Sequence, residues 1–168
     1  MERRDLPTTT FDPAVKKAVL RLFTYGLYAV TCTHDGDANV FTANWLTQVS
    51  FDPAMLAVSV ERRSVSLPLI LASGLFAVHV YAADQRELAG ALGRSRARVG
   101  DKLATVVHSS SPYGLPLLTN TLGYVECRVE GRLDAGDSVL ITGEVIGAGM
   151  HLPGDPLTMH DAGFRHSG

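Results

Sequence analysis

The sequence predicts a mostly β protein, an antiparallel barrel with a few helices around it. Three observations lead to this class: five or six short apolar runs recur along 168 residues, turn-forming residues separate them, and few stretches show helical spacing. With 46% hydrophobic and 19% charged residues, the chain can bury one sizeable core. We therefore expect a single domain over residues 1–168, of which residues 1–11 form a loose N-terminal arm.

The N-terminal third is predicted to hold one helix and one hairpin. An aspartate N-cap followed by proline opens the helix at residues 12–13, and apolar residues at helical spacing extend it to about Tyr25. Residues 27–33 are β-branched and aromatic, as expected of a strand. Turn-forming residues at 34–37 then lead into a second strand over 38–42.

The middle of the chain alternates strands with short helices. Ser64 or Ser66 is the expected cap of the first helix, and an acidic variant of the capping box, Asp84 with Glu87, is expected to open the second. In chain order the predicted segments are a strand over 55–60, a helix over 67–72, a strand over 76–81, a helix from 84 to 93, a short helix over 99–107 and a loop over 109–116.

The last third reads as two long strands, 122–133 and 139–146, joined by a turn at 134–137. Charged residues alternate with apolar ones along the first strand, which is typical of a half-exposed hairpin. His79 lies in an apolar strand, where a hydrogen-bonded structural histidine is expected more often than a catalytic one. Cys32 and Cys127 also lie in apolar strands, so both are expected to be buried free thiols.

Charge and composition narrow the classes of partner. The formal net charge is −2, so the chain lacks the basic surface that nucleic acid requires. No apolar run is long enough to span a bilayer and no signal region follows Met1, which predicts no membrane association and a cytoplasmic protein. Glycine-rich phosphate loops, Ser-His-Asp arrangements and metal-ligand spacings are missing. We therefore predict neither a catalytic nucleophile nor a metal site.

Two stretches carry candidate binding residues. Six polar or indole side chains crowd into residues 42–50 between apolar strands, which favours a flat, polar ligand, because buried polar groups need partners. Alternatively, Gln48 and Ser50 end a strand in solvent and Asn44 marks a turn. Residues 61–66 combine two arginines and two serines at a helix start, which favours a phosphate; the alternative is a plain cap with solvated arginines.

A basic cluster follows at residues 94–98 with Lys102. It is either a solvated loop or a segment that closes over a phosphate.

Taken together, the chain resembles the flavin reductase-like family, FMN-binding split barrels that include the reductase partners of two-component flavin monooxygenases. The resemblance covers nearly the whole chain and rests on motifs that are specific only in combination. They lie at residues 26–33, 42–45, 48–53, 73–80, 136–137, 143–145 and 163–168.

The resemblance implies an antiparallel Greek-key split barrel that binds FMN, or alternatively FAD, and transfers hydride to it from NAD(P)H. It also implies a homodimer and the supply of reduced flavin to a partner monooxygenase. The flavin-binding residues that it implies, the last three of them at the phosphate, are Thr42, Ala43, Asn44, Trp45, Leu46, Gln48, Val49, Ser50, Arg63, Ser64 and Ser66.

One position departs from the family pattern. The family's nicotinamide-binding turn reads Gly-Asp-His, whereas here Asp137 is followed by Ser138. The resemblance places the nicotinamide at these two residues, with His160 or His166 as spatial substitutes for the missing imidazole. The departure favours an alternative, an FMN-binding electron carrier that takes electrons from a protein. A non-catalytic flavin-binding or haem-binding barrel is a further alternative.

Overall fold

Nine β-strands form the framework of the computed structural model, which describes residues 10–165. Their bounds are β1 (Tyr28–His34), β2 (Asp37–Ala43), β3 (Leu46–Phe51), β4 (Ala54–Glu61), β5 (Leu75–Val80), β6 (His108–Ser110), β7 (Pro116–Leu118), β8 (Gly123–Ala135) and β9 (Ser138–Met150). Seven of them form one antiparallel sheet in the order β2-β1-β5-β8-β9-β4-β3, and β6 pairs with β7 separately.

The predicted mostly β, antiparallel architecture is confirmed, but the number of strands was underestimated. The first hairpin pairs β1 with β2, the second pairs β3 with β4, and the long β8–β9 hairpin joins them through β5 and β4. The predicted loop over 109–116 was too long at both ends. The three-residue strand β6 ends within it at Ser110, and the three-residue strand β7 begins within it at Pro116. Strands this short give no periodicity that could predict them.

Five short helices accompany the sheet: α1 (Pro13–Leu20), α2 (Ser66–Ser73), α3 (Arg86–Leu92), α4 (Arg96–Val99) and α5 (Met159–Ala162). The predicted helix over 99–107 is wrong, because α4 ends at Val99 with Gly100 as its C-cap, and only a single 3-10 turn, Leu103–Thr105, follows. No helix within residues 10–165 is long and apolar enough to cross a membrane.

Helix α1 starts where the sequence predicted and stops early. The Asp12 carboxylate accepts the Ala14 N–H at 2.8 Å, so the acidic cap is confirmed. The helix ends at Leu20 instead of Tyr25, because Leu22 N–H bonds to Val19 O three residues back and the helical pattern stops there. None of its residues is buried. Its apolar stripe is therefore uncovered within the chain.

The caps of α2 and α3 differ from the predictions. Helix α2 has Val65 as its N-cap, and the predicted serine cap survives only as a bond from Ser66 N–H to Ser64 Oγ. Helix α3 begins at Arg86, two residues after Asp84, so the predicted capping box does not form. Gln85 instead turns back, and its amide oxygen accepts the Ala82 N–H at 2.9 Å.

Besides a small cluster of Ala77, Leu115 and Leu117, two large apolar clusters of described residues hold the sheet together. One lies between the sheet and α2 and contains Cys32, Phe76 and Cys127; the other lies under α3 and contains Tyr81 and Leu92. Both cysteines are free and fully buried, as predicted. Burial raises the pKa of the Cys32 thiol to about 11 and that of the Cys127 thiol to about 12, so both are protonated at neutral pH.

His79 is a structural residue, as predicted. Its Nε2 accepts the Leu118 N–H at 3.1 Å, which leaves Nδ1 to carry the proton and donate to Ala29 O at 3.2 Å. These two bonds connect β5 to β7 and β1. Burial lowers the pKa of the ring to about 4, so the imidazole is neutral in the folded protein.

Candidate functional site

A cavity of about 780 Å³ lies between the ends of β2 and β4, the α3–α4 segment and the C-terminal turn around α5. Residues from both predicted stretches reach it. Those that line it include Thr42 and Ala43 at the end of β2, Asn44 and Trp45 directly after it, Arg63 and Ser64 before α2, Gly90, Gly93, Arg94 and Lys102 from the α3–α4 side, and Ser138, Met159 and Arg165.

The polar side chains at the end of β2 build the cavity wall. The Thr42 hydroxyl donates to Ala89 O at 2.7 Å, and the Tyr81 hydroxyl lies 2.9 Å from the same Thr42 oxygen. Because burial raises the pKa of Tyr81, its phenol stays protonated and donates to Thr42. Asn44 Nδ2 lies 3.0 Å from the Met159 sulfur and donates to it. This wall is fixed by bonds within the protein.

Strand β3 does not reach the cavity. Leu46 packs against the core of the sheet, while Gln48 and Val49 are exposed. Gln48 Nε2 donates to Ser50 O at 3.0 Å, a local bond along the strand. Gln48 and Ser50 therefore lie on an edge strand with Gln48 exposed, and their role in flavin binding stays a prediction. These four predicted flavin-binding residues are not part of the cavity within one chain.

The predicted phosphate residues divide into two groups. Arg63 and Ser64 line the cavity, and Arg63 is exposed with no hydrogen-bond or ion-pair partner among residues 10–165. Ser66 is fully buried below them, where its hydroxyl accepts Asn39 Nδ2 at 2.7 Å. Ser66 thus supports the start of α2 from within and does not line the cavity.

The neighbouring arginine, Arg62, binds residues of the β8–β9 hairpin. Arg62 Nη2 lies 2.8 Å from the Asp134 carboxylate, and its Nε donates to Gly136 O at 2.9 Å. The Arg62 N–H also bonds to Asp137 O. Arg62 therefore ties the end of β4 to the β8–β9 turn, and of the two neighbouring arginines only Arg63 lines the cavity.

The turn of the predicted nicotinamide site lies at the same end of the molecule. Ser138 pairs with Glu61, lines the cavity and is only 3% exposed, and its hydroxyl donates to the Asp137 carboxylate at 3.2 Å. Asp137 itself does not line the cavity. His160 is exposed and does not line it either, and His166 lies outside the described residues.

Sequence reasoning left the α3–α4 wall out of the site. Gly90 and Gly93 line the cavity where side chains would narrow it, and Arg94 and Lys102 bring positive charge. Of the two interpretations of the basic cluster, closure over a bound anion agrees better with this placement. The density of basic residues was the signal available in the sequence.

The charge of the lining favours an anion. Arg63, Arg94, Lys102 and Arg165 face the cavity against a single carboxylate, Glu61, while Arg96 is paired with Asp37 at 2.8 Å. Clefts lined by one sign of charge attract ligands of the opposite sign. Within residues 10–165, no group of three or more His, Cys, Asp or Glu side chains lies close enough to hold a metal ion.

A family model described as the flavin reductase like domain matches residues 20–168. The chain belongs to this family. The assignment confirms the resemblance to this family that was found in the sequence. Relatives with curated names include several that are called reductase components or subunits of flavin-dependent monooxygenases.

Two relatives and one solved structure illustrate the similarity. The chain is 34% identical over 145 residues to the FMN reductase (NADH) SmoA of Agrobacterium fabrum, covering 86% of this chain and 80% of that protein. It is 33% identical over 141 residues to a high molecular weight rubredoxin of Moorella thermoacetica, covering 83% of this chain but only 62% of the relative.

The solved structure is BorF, the flavin reductase component of a bacterial two-component tryptophan halogenase. It superposes with a TM-score of 0.78 at 30% identity, covering 90% of this chain and 95% of BorF. This agreement confirms that the described fold is that of a flavin reductase.

Proposed function

We propose that the protein is an NAD(P)H-dependent flavin reductase that holds FMN, or alternatively FAD, in the cavity between β2, β4 and α3. One observation supports this above all: the cavity has the Thr42–Trp45 wall on one side and the partnerless Arg63, beside Ser64 and the start of α2, on the other. A planar ring system that carries a phosphate needs such a combination. The residues present therefore fit FMN.

Each part of the lining has a task in this function. Arg63 and Ser64 bind the phosphate beside the start of α2, because a charge-assisted bond from the guanidinium and the helix dipole both favour an anion. Ala43, Asn44 and Trp45 contact the ring system, while Thr42 holds their strand against α3. Bound FMN supplies the redox chemistry, since its N5 accepts hydride from the nicotinamide. The protein needs to orient the two partners and exclude water.

A second candidate is an electron carrier that receives electrons from another protein. The observation that favours it is Ser138, whose short hydroxyl is buried and already bonded to Asp137, where the family pattern has an imidazole. In this case FMN would stay bound and NAD(P)H would not reduce it. Both candidates use the same flavin cavity.

The functional unit in this proposal is a homodimer. Two apolar surfaces are uncovered in one chain: α1, with Val15 and Val19 about half exposed, and the edge strand β3, where Phe51 is 92% exposed. An isolated helix of eight residues is marginal without packing. A second copy would cover these surfaces. It would also bring the β3 residues Leu46, Gln48, Val49 and Ser50 to a flavin site, as the resemblance implied.

The proposed acceptor of the reduced flavin is a flavin-dependent monooxygenase. Support comes from relatives that are named as reductase components of such enzymes and from BorF, which belongs to a two-component system.

Anaerobic reduction tests the function. The purified protein, loaded with FMN or FAD, is mixed with NADH or NADPH in a stopped-flow instrument, and flavin absorbance is followed. Loss of absorbance within the time of a catalytic turnover is expected for at least one nucleotide. If neither nucleotide reduces the bound flavin, the electron carrier replaces the reductase. If no flavin binds, both candidates fail.

A Ser138→His variant refines this test. An imidazole in the turn is expected to lower KM for the nucleotide about tenfold and to leave kcat nearly unchanged, because it adds a contact present in ground and transition states alike. FMN affinity is the control and is expected to change by no more than a few-fold. An unchanged KM would mean that another group already fills this role.

A further inference from the structure

Lys102 is a buried cation that neither predicted binding stretch contains. It is 5% exposed, and its Nζ donates to Leu92 O at 2.7 Å and to Arg94 O at 2.9 Å. Leu92 is the last residue of α3, so the ammonium binds carbonyls at the negative end of that helix. This arrangement is favourable, because the final carbonyls of a helix have no partners within it.

The two bonds hold a wall of the cavity in place. Arg94 carries one of the two bonded carbonyls, and Gly93 lies between them in the chain. Both residues line the cavity. The Gly93 backbone also lies against the end of β2, since a Cβ placed there would be 3.6 Å from Thr42 Cβ. The wall therefore stands beside the strand end that meets the ring system in the proposed function.

We propose that Lys102 is a positioning residue for flavin binding: its charged ammonium holds residues 93–96 against the end of β2 in the conformation that accepts the ring system. This inference rests on the proposed function of the cavity. It assigns no contact between Lys102 and the phosphate, which the Arg63 side receives.

The charge of Lys102 changes close to physiological pH. Burial, and to a smaller extent the nearby Arg96, lower its pKa to about 8. Around it, Asp37 of β2 is bound to Arg96, Asp101 accepts the Leu103 N–H, and the Cys32 thiol of β1 is neutral because its pKa is about 11. A neutral amine donates weaker bonds than an ammonium. Flavin affinity should therefore fall as pH rises through about 8.

The experiment compares Lys102→Met and Lys102→Arg with the unmodified protein. Arg98→Met is the matched control, because it removes a positive charge from the same segment at an exposed residue outside the cavity. Dissociation constants for FMN and riboflavin are measured by flavin fluorescence on both sides of the Lys102 pKa, and circular dichroism confirms folding.

Below this pKa, Lys102→Met is expected to bind both flavins about tenfold more weakly, since the carbonyls lose a charged donor. The unmodified protein and Arg98→Met should lose affinity as pH rises, whereas Lys102→Met should not. Lys102→Arg should bind with the affinity of the protonated lysine and without a pH step, because guanidinium stays charged. If Lys102→Met does not fold, the other two proteins test the proposal. It requires a pH step in flavin affinity for the unmodified protein and no such step for Lys102→Arg.

Unchanged affinity in Lys102→Met, or a pH step that persists in it, would overturn the proposal. A loss confined to FMN would also overturn it, because the ammonium would then act on the phosphate. If the unmodified protein binds neither flavin, the proposed function itself fails. Hydrogen exchange of residues 93–99 then tests the wall alone: faster exchange in Lys102→Met supports the positioning role, and equal exchange contradicts it.

Discussion

The two edges of the sheet, β2 and β3, are built in opposite ways. At the β2 edge, Thr42 is bonded to α3, and Arg96 of α4 pairs with Asp37 and donates to Ala38 O. At the β3 edge, residues 47–49 and 51 are exposed. Unpaired sheet edges are reactive surfaces that proteins either cover or use. The covered edge contributes a wall of the proposed flavin cavity, and the open edge is available to the second copy in the proposed dimer.

The largest expected effect is the pH dependence of the unfolding free energy that His79 causes. This histidine is buried in β5, in the covered half of the sheet. The unfolded chain binds a proton at this histidine below its ordinary pKa of 6.5, whereas the folded chain binds it only near 4. Stability is therefore complete above the unfolded pKa and falls as pH decreases toward 4, by about 3 kcal/mol in total.

Chemical denaturation across this pH range measures the effect. His79→Gln can keep both hydrogen bonds without titrating, so its unfolding free energy should depend less on pH by the same amount. A variant with the full pH dependence of the unmodified protein would show that His79 is not responsible.

The second largest expected effect is a loss of unfolding free energy, which should differ between threonines at the two edges of the sheet. Thr42→Val leaves the Tyr81 hydroxyl and Ala89 O without this partner, and we expect a loss of about 2 kcal/mol in unfolding free energy. Thr47→Val on β3, where the hydroxyl is exposed, should change it by less than about 0.5 kcal/mol. Thermal and urea unfolding of both variants provide the measurement, and equal losses would remove the distinction between the edges.

The third expected effect is on the affinity for the flavin phosphate, in the cavity that the covered edge helps to form. Arg63→Ala should weaken FMN binding by about 1.5–3 kcal/mol and leave riboflavin nearly unchanged, because only the charge-assisted bond to phosphate is lost. Arg98→Ala is the control of equal charge. Titration of both flavins decides, and equal weakening of FMN and riboflavin would contradict the assignment.

The smallest expected effect on folding lies at the open edge. Phe51→Ser removes an apolar side chain that is 92% exposed, so the unfolding free energy of the monomer should change by less than about 0.5 kcal/mol. The proposed dimer should nevertheless dissociate about tenfold more readily, as expected for an aromatic interface residue. Sedimentation velocity measures this against Val107→Ser, another exposed apolar residue, beside the β6–β7 sheet. Equal behaviour of the two variants would exclude Phe51 from the interface.

How far the sequence could predict the molecule is clear from single residues. The strands β1, β4 and β8 have strong patterns and were predicted within two or three residues at their ends. Helix α1 was extended past Leu20, because its apolar spacing continues although none of residues 10–165 covers it. The three residues of β6 and of β7 carry no pattern at all.

The candidate site was predicted in part. Thr42, Ala43, Asn44, Trp45, Arg63, Ser64 and Ser138 do line one cavity. Ser66 was placed there because it stands with two arginines and Ser64 at a helix start, but its hydroxyl accepts Asn39 Nδ2, a contact over 27 positions that spacing cannot show. Lys102 was seen only as one member of a basic cluster. Its burial depends on the carbonyls of Leu92 and Arg94. Every residue has a backbone carbonyl, so the sequence does not show which of them the lysine binds.

The burial of the two cysteines has a consequence for chemical durability. Only a thiolate reacts readily with oxidants, and oxidation also requires access. Cys32 and Cys127, the only cysteines in the chain, are both fully buried with raised thiol pKa values. A flavoprotein that hands on reducing equivalents in the presence of oxygen would expose its own side chains to the by-products. This chain keeps its sulfur nucleophiles protonated and out of their reach.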